Sequence, residues 1–422
     1  MRNAEYFKEK RVLIVGLARS GVAAANLLFD LGADVYVTDN QDNAVTRSNA
    51  KLLKSDKIRL ELGSHSEANI RNAQLLVVSP GVPNNAPPVL MADKLQIPVI
   101  SEIELGWMLC PGTVIAVTGS GGKTTVTTLI GKVIEGSGEK SFVCGNIGKP
   151  LTSEVAKIRP QDFVSLEVSS FQLERIKDFK PKIALMLNLS KNHLDRHADM
   201  QEYLGAKKRI FMNQDSLDYL VLNSEDPVIK GLAKEAKSKV LFFSQSKDLN
   251  PNQAAVVAVA GLLGIGEGVY DKVFADFKGL EHRMEFVREV GGVRFINDSK
   301  ATVAESCAWA IRNIPSKIIL IAGGRDKGVD YRVILDAARD KVKKVIVIGE
   351  ARQKIKSALA GDLSIEEAVT LPEAVRNAYL EAGQGDYVLL SPMCSSFDMF
   401  SNYEERGRVF KEAVLALSAD KS

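Results

Sequence analysis

Short, β-branched apolar runs alternate with helix-length stretches from the beginning of the chain. RVLIVG (11–16) leads into VAAANLLFDLG (22–32), then DVYVTD (34–39), LLVVSPG (75–81) and IPVIS (97–101). Strands separated by helical segments predict βαβ units and a parallel sheet. A second block begins near Trp107, with a strand TVIAVTG (113–119), a glycine loop, a long helix, and strands over 162–170 and 182–190. A third begins near GLEHR (279–283) and carries strands VRFIND (293–298), SKIILIAGG (316–324), KKVIVIGE (343–350) and YVLLSP (387–392). The pattern predicts an α/β protein of three consecutive domains. A Rossmann-like N-terminal domain covers 1–101, a P-loop-type central domain 102–279 and a Rossmann-like C-terminal domain 280–422. The seams are expected at 101–112, around Cys110-Pro111-Gly112, and at 275–282, where Gly279 interrupts the pattern.

Length agrees with this division, since 422 residues exceed what a single hydrophobic core serves. Apolar residues at 45% and charged residues at 25% exclude disordered, collagenous and coiled-coil classes. The net charge of +3 gives no broad field to draw nucleic acid or an anionic membrane, so any anionic ligand has to be held by a local site. Cys110, Cys144, Cys307 and Cys394 are scattered without metal-finger spacing, which fits reduced thiols and the cytoplasm. The N-terminus is a charged lead into a strand rather than a signal peptide, and no apolar run reaches the ~18 residues of a membrane span.

The sharpest chemical signal is Thr118-Gly119-Ser120-Gly121-Gly122-Lys123-Thr124-Thr125, between an apolar strand and the helix VTTLIGKVIEG. Such a loop aims backbone N–H groups and a helix N-terminus at phosphates, while Lys123 neutralises charge and the Thr124 hydroxyl is placed for Mg²⁺. Val117 stands where the longer GxxxxGK[ST] pattern has its first glycine, so the motif is the shorter TGxxGKT. Near the N-terminus, Gly16-Leu17-Ala18-Arg19-Ser20-Gly21 resembles a dinucleotide fingerprint, with Asp39 at the end of the second strand. Ala18 replaces the glycine that would let a pyrophosphate approach. This argues against an ordinary NAD site and leaves two readings open, a sugar nucleotide docked differently or a glycine pair needed only for strand-to-helix packing.

Glu167 is a carboxylate at a strand end after a phosphate loop, the usual kind of Mg²⁺ partner. His193 and His197 share one loop, and a surface histidine pair is the plain alternative. Lys207, four residues after Tyr203 on a helix, reads from its sequence context as a solvated side chain. In the third block the loops 297–302 (NDSKAT), 323–328 (GGRDKG) and 391–398 (SPMCSSFD) each follow a strand. In open α/β sheets such loops can converge on one edge, where their Lys, Arg and Ser content would suit an anionic substrate. Each alone could also be turn chemistry.

With these motifs in order, the chain resembles the ATP-dependent Mur ligases of peptidoglycan synthesis from end to end. The motifs are TGxxGKT, CGNIG, LEVSSFQLE, NHLDRH, YLGAKKRI, GLEHR, NDSKAT, GGRDKG and SPMCSSFDMF. The last motif and the opening VLIVGLARSG point to the members that join D-glutamate to UDP-N-acetylmuramoyl-L-alanine. The resemblance implies an N-terminal UDP-binding domain, a central ATPase domain and a C-terminal domain that closes over both. It implies that Lys123, His193 and Lys207 are the catalytic groups. ATP would be held by Gly119, Ser120, Gly121, Gly122, Lys123, Thr124, Thr125, Asn252, Arg283 and Asp298. The UDP substrate would be held by Leu17, Ala18, Arg19, Ser20, Gly21, Asp39, Ser79, Pro80 and Gly81, with Asn146 and His193 toward its peptide end. The amino acid would meet Lys300, Thr302, Lys327, Ser396 and Tyr403. Two Mg²⁺ ions would use Thr124, Glu167, His193 and Lys207, the last carrying CO₂ as a carbamate. No nucleic acid or membrane insertion is implied, and a monomer suffices.

The chain departs from the family in three places. Gly121 replaces an asparagine usual in the phosphate loop. Asp248-Leu249 stands where His-Asn of the family's adenine segment GxHNxxN is expected, leaving Asn252 as its last asparagine. Tyr403 takes a position that is commonly Phe. A sister Mur ligase, a folylpolyglutamate synthetase-like ligase and an inactive nucleotide-binding scaffold are the alternatives.

Overall fold

A computed structural model describes residues 1–190, 197 and 199–418. It contains three α/β sheets. The first has five parallel strands, β1 (Arg11–Val15), β2 (Asp34–Asp39), β3 (Arg59–Leu62), β4 (Leu75–Val78) and β5 (Val99–Ser101), ordered β3-β2-β1-β4-β5. The second has six parallel strands, β6 (Thr113–Thr118), β7 (Ser141–Gly145), β8 (Phe163–Glu167), β9 (Ile183–Met186), β10 (Tyr219–Asn223) and β11 (Lys239–Phe243), ordered β11-β10-β9-β6-β8-β7. The third comprises β12 (Glu285–Val290), β13 (Val293–Asn297), β14 (Ile318–Gly323), β15 (Val342–Ile348), β16 (Ile365–Glu367) and β17 (Tyr387–Leu390), ordered β12-β13-β17-β14-β15-β16. Central strands such as β4 and β14 are buried along their whole length, which is why they read as unbroken apolar runs.

Two sequence expectations change. The strand expected over 162–170 stops at Glu167, because Ser169 and Gln172 form a reciprocal capping box that starts a short helix, Ser170–Leu173. The third sheet is mixed rather than wholly parallel. Its edge strand β12 pairs antiparallel with β13 across Gly291-Gly292, both at positive φ, the backbone a two-residue hairpin demands.

The helices that matter for the site are α1 (Arg19–Asp30), α2 (Glu102–Leu109), α3 (Lys123–Gly136), α4 (Leu151–Glu154), α5 (Met200–Lys208), α6 (Pro251–Leu262) and α7 (Tyr403–Leu415). The chain divides into two compact units, Met1–Phe277 and Lys278–Ser422. Within the first unit one hydrophobic core spans both sheets: Val12, Leu28, Ile103 and Leu109 belong to the same cluster as Ala116, Leu166 and Phe179. The segment 101–112, a seam in the sequence pattern, therefore contains a largely buried helix, Glu102–Leu109. In the second unit, separate cores lie on the two faces of the third sheet. No described helix is long and apolar enough to cross a membrane.

Candidate active site

In the first unit the phosphate loop leaves β6 and enters α3, whose N-cap residue Gly122 supplies no side-chain cap. An uncapped helix N-terminus presents backbone N–H groups and a partial positive charge, the usual seat for an anion. Gly122 has φ +79°, and a Cβ there would lie 2.4 Å from Asn252 Oδ1, so only glycine fits. That contact places Asn252, in the first turn of α6, directly beside the loop. Lys123 folds back to donate to Gly119 O (2.9 Å) and Ser120 O (3.2 Å).

Asn188, which no sequence motif singled out, braces this loop. Its Oδ1 accepts from Ser120 N (3.0 Å) and Gly121 N (2.8 Å), and its Nδ2 donates to Gly121 O (3.2 Å). An amide thus holds the loop at the position where Gly121 departs from the family pattern.

Lys207 is not the solvated side chain its spacing suggests. It is 1% exposed, and its Nζ donates to Gly119 O (2.9 Å), the same oxygen that Lys123 uses. Thr118 Oγ1 lies at 3.4 Å and the face of the Tyr203 ring at 4.5 Å. Burial pushes the Lys207 amine well below the usual lysine range, and the Lys123 charge adds to this, while Glu167 opposes it. Tyr203, one turn earlier on α5, is buried with its hydroxyl 3.3 Å from Ser120 Oγ. Across the sheet Glu167 is 2% exposed. Its Oε1 accepts from Asn146 Nδ2 (2.8 Å), and its Oε2 is buried with no hydrogen-bond partner among the described residues.

Of the paired histidines, His197 is a core residue rather than a surface one. It stacks on Phe171 (5.4 Å between centroids), approaches Tyr203 and lies 3.0 Å from Ser170 Oγ. His193 lies outside the described residues.

At the carboxyl edge of the first sheet, Gly16–Gly21, Asp39 and Ser79 come together. Asp39 accepts from Leu17 N (2.7 Å) and Gln41 N (2.9 Å), while Ser79 donates its hydroxyl to Gly16 O (2.8 Å). The Leu17 side chain is fully buried. A Cβ on Gly21 would sit 1.9 Å from Gly16 O, so this glycine is required for close packing of α1 on β1. Ala18 is the N-cap of α1 and offers no side-chain cap.

In the second unit the three strand-end loops converge. Arg325 N donates to Ser395 O (2.9 Å) and Ser395 N to Arg325 O (3.2 Å), while Met393 N donates to Ala301 O (2.9 Å). Arg406, on α7 and 1% exposed, ties two of them through Nε to Ser299 Oγ (3.0 Å), Nη2 to Ser299 O (2.8 Å) and Nη1 to Cys394 O (3.1 Å). The Lys300 ammonium stands 5.2 Å over the Tyr403 ring, Ser396 is buried, Thr302 is half-buried and Lys327 is exposed. Asp298 accepts from Ser391 Oγ (3.0 Å) and Met284 N (3.3 Å). Burial pushes its carboxyl up to about 7, although these donors and the nearby Arg283 charge pull the other way.

Three family models match consecutive stretches of the chain: a MurD-like N-terminal domain over 10–101, a Mur ligase middle domain over 117–260 and a Mur ligase glutamate ligase domain over 282–394. The chain belongs to the Mur ligase family. Among relatives of this Mur ligase, the UDP-N-acetylmuramoylalanine--D-glutamate ligase of Geotalea uraniireducens is 42% identical over 442 residues, covering 97% of this chain and 98% of the relative. The enzyme of the same name from Caldanaerobacter subterraneus is 39% identical over 445 residues, covering 97% and 99%. Among solved structures, the UDP-N-acetylmuramate-alanine ligase MurC of Thermotoga maritima matches with a TM-score of 0.62 at 17% identity, over 96% of this chain and 99% of that one. The MurF ligase of Thermotoga maritima in complex with ADP matches with a TM-score of 0.60 at 15% identity, over 98% and 97%. At these identities the two structures speak for the Mur ligase fold alone.

Proposed function

We propose that this Mur ligase joins D-glutamate to UDP-N-acetylmuramoyl-L-alanine at the expense of ATP, a step of peptidoglycan precursor synthesis. The observation that carries the chemistry is the placement of Lys207 and Glu167 against the TGxxGKT loop. Full-length relatives of that name supply the substrate assignment. The alanine carboxylate attacks the γ-phosphorus of ATP, releasing ADP and leaving an acyl phosphate. The neutral amine of D-glutamate then attacks the acyl carbon: the amide C–N bond forms, the acyl carbon–oxygen bond breaks with its electron pair going to the departing phosphate, and the proton lost by the nitrogen passes to that phosphate or to solvent. The obstacle in the first step is the approach of two anions. The Lys123 ammonium and the first-turn N–H groups of α3 offset that repulsion.

The residues fit Mg²⁺ on one specific ground. Glu167 presents a buried carboxylate oxygen with no partner among the described residues, beside a phosphate loop that ends in the buried Thr124. Thr124 and Glu167 would hold one ion, and His193 with a carbamylated Lys207 a second. Bound there, Mg²⁺ supplies charge neutralisation to the phosphates. An amine held below its usual pKa is neutral over more of the pH range, and only a neutral amine adds to CO₂. The N–C bond would form as one C=O π bond of CO₂ opens, the nitrogen would release a proton, and the neutral amine would become a carboxylate-like ligand.

We assign the strand-end loops of the second unit to the amino acid, through Lys300, Thr302, Lys327, Ser396 and Tyr403, and Arg283 with Asp298 to the nucleotide. The carboxyl edge of the first sheet takes the UDP moiety. One set of motifs per chain makes a monomer sufficient, and four free, buried cysteines suit the cytoplasm. The test is ADP release with ATP, Mg²⁺ and UDP-N-acetylmuramoyl-L-alanine against a panel of amino acids. Turnover is expected with D-glutamate alone. Equal or faster turnover with meso-diaminopimelate or L-lysine would mark a sister ligase.

A further inference from the structure

The helix α2 fastens the first sheet to the second. Just before it, Ser101 N donates to Arg175 O at 2.9 Å. The buried Glu104 carboxylate accepts three successive backbone N–H groups, Lys177 (2.9 Å), Asp178 (2.9 Å) and Phe179 (3.0 Å). One turn further, Trp107 Nε1 donates to Lys180 O at 3.1 Å. A single helix thus grips every residue of the segment 177–180. On the other side Glu102, also buried, accepts from Thr152 N (2.9 Å) and Thr152 Oγ1 (2.6 Å) on α4. A return contact closes the arrangement from above. Arg175 donates to both Asp93 oxygens (2.9 and 2.8 Å) and to Asn84 Oδ1 (2.7 Å), and Asn84 Nδ2 donates to Glu174 Oε2 (2.6 Å).

The segments joined in this way are the ones that carry the ligand residues. Asn84 lies three residues beyond the Ser79-Pro80-Gly81 turn of the first sheet. Glu174 and Arg175 follow Glu167 of the second sheet after one short helix, and Thr152 follows the CGNIG segment that holds Asn146. Cohesion alone does not call for charges here. A buried carboxylate loses several kcal/mol of hydration, and well-packed apolar residues often serve stability as well or better. What a carboxylate bound to three consecutive N–H groups adds is fixed geometry.

We propose that Glu104 and Arg175 are positioning residues for the UDP substrate: they hold the uridine-binding turn of the first sheet at a fixed span from the Glu167–Asn146 edge of the second. The inference rests on the functional reading above. A ligand that touches both sheets then binds to a site already spaced for it, without ordering the two sheets on arrival. A ligand that touches only the first sheet gains nothing from the fastening.

This difference is measurable by calorimetric titration of two ligands, UDP and UDP-N-acetylmuramoyl-L-alanine, into the full chain and its Glu104→Gln and Arg175→Met variants. The expected result is a precursor Kd weakened about tenfold by Glu104→Gln and about threefold by Arg175→Met, with the Kd for UDP changed less than twofold in both. KM for ATP should stay within twofold. Equal weakening of both ligands, or of neither, would overturn the proposal. Arg175 is partly exposed, so its variant keeps the test available where Glu104→Gln does not fold. Failure of the wild-type chain to bind the precursor overturns the functional reading itself, a result distinct from variants that bind it as the wild type does.

Discussion

The two units each bury a cation at the carboxyl edge of a sheet, and they treat it in opposite ways. Arg406 in the second unit spreads its guanidinium over three oxygens of Ser299 and Cys394. Burial lowers it only to about 10, so it stays charged. Lys207 in the first unit has one short hydrogen bond, shares its acceptor with a second lysine and is driven toward the neutral amine. The difference follows from the side chains. A planar guanidinium satisfies several carbonyls at once and cannot give up its proton, whereas an ammonium is a point charge that burial readily deprotonates. The arginine ties two loops together, and burial holds the lysine below its usual range.

Replacing Lys207 tests this contrast most severely. Lys207→Ala is expected to lower kcat at least a hundredfold, the scale of losing a preorganised electrostatic group, and added formate or acetate should restore part of it. Near-normal activity would make Lys207 a packing residue. Lys207→Met should be equally inactive yet raise the unfolding free energy near pH 7 by about 1 kcal/mol, because the buried amine is lost while Lys123 still donates to Gly119 O. A fall in stability would mean that the amine is held for structure after all.

Arg406→Lys keeps the charge and removes the fork. It should destabilise the second unit by about 3 kcal/mol in denaturant titration, since two of the three acceptors lose their donor. A change below about 1 kcal/mol would show that a point charge serves equally well.

Asp298 is the acid counterpart of Lys207, and its effect appears as a pH slope. Its folded-state carboxyl sits at about 7, against about 3.9 in an unfolded chain. Between these values the folded state keeps a proton that the unfolded state has released. The stabilisation is complete below pH ~4 and is lost as pH rises through ~7, by up to ~1.4 kcal/mol per unit. Asp298→Asn should flatten the fall in unfolding free energy over that window. An unchanged slope would place the titration elsewhere.

The smallest effect is expected at the base of the nucleotide. Asp248 is exposed, and Leu249 packs on the core behind α6, so of the pair that replaces His-Asn only Leu249 contributes to packing. GTP should therefore reach a kcat/KM within about tenfold of ATP, roughly the 1.4 kcal/mol of one net hydrogen bond. A thousandfold preference for ATP would mean that other groups have rebuilt the adenine contacts.

What the chain alone made legible was local. The phosphate loop could be read because strand, glycines, Lys-Thr and helix are contiguous, and the three sheets because buried parallel strands are written as unbroken apolar runs. Lys207 became a candidate site residue only through resemblance. Its own surroundings on α5 are those of an ordinary helix, and the oxygens it donates to come from Thr118 and Gly119 on a different element. Asn188 carried no signal, because a polar residue after a strand is indistinguishable from turn chemistry until its amide is seen under the loop. Arg406 and Glu104 were hidden for a related reason: charged residues on helices are normally solvated, and nothing nearby in sequence announces the carbonyls or N–H groups that enclose them. The segment 101–112 shows the limit from the other side, since Pro, Gly and a change of pattern mark a turn without saying whether the chain crosses open solvent or a shared core. Sequence by itself determined which segments become strands, helices and phosphate loop, because hydrophobic periodicity and glycine placement act over a few residues. Only the tertiary structure decided which cations lose their water, which carboxylates grip backbone and which sheets share a core, because desolvation depends on what packs around a group from distant parts of the chain.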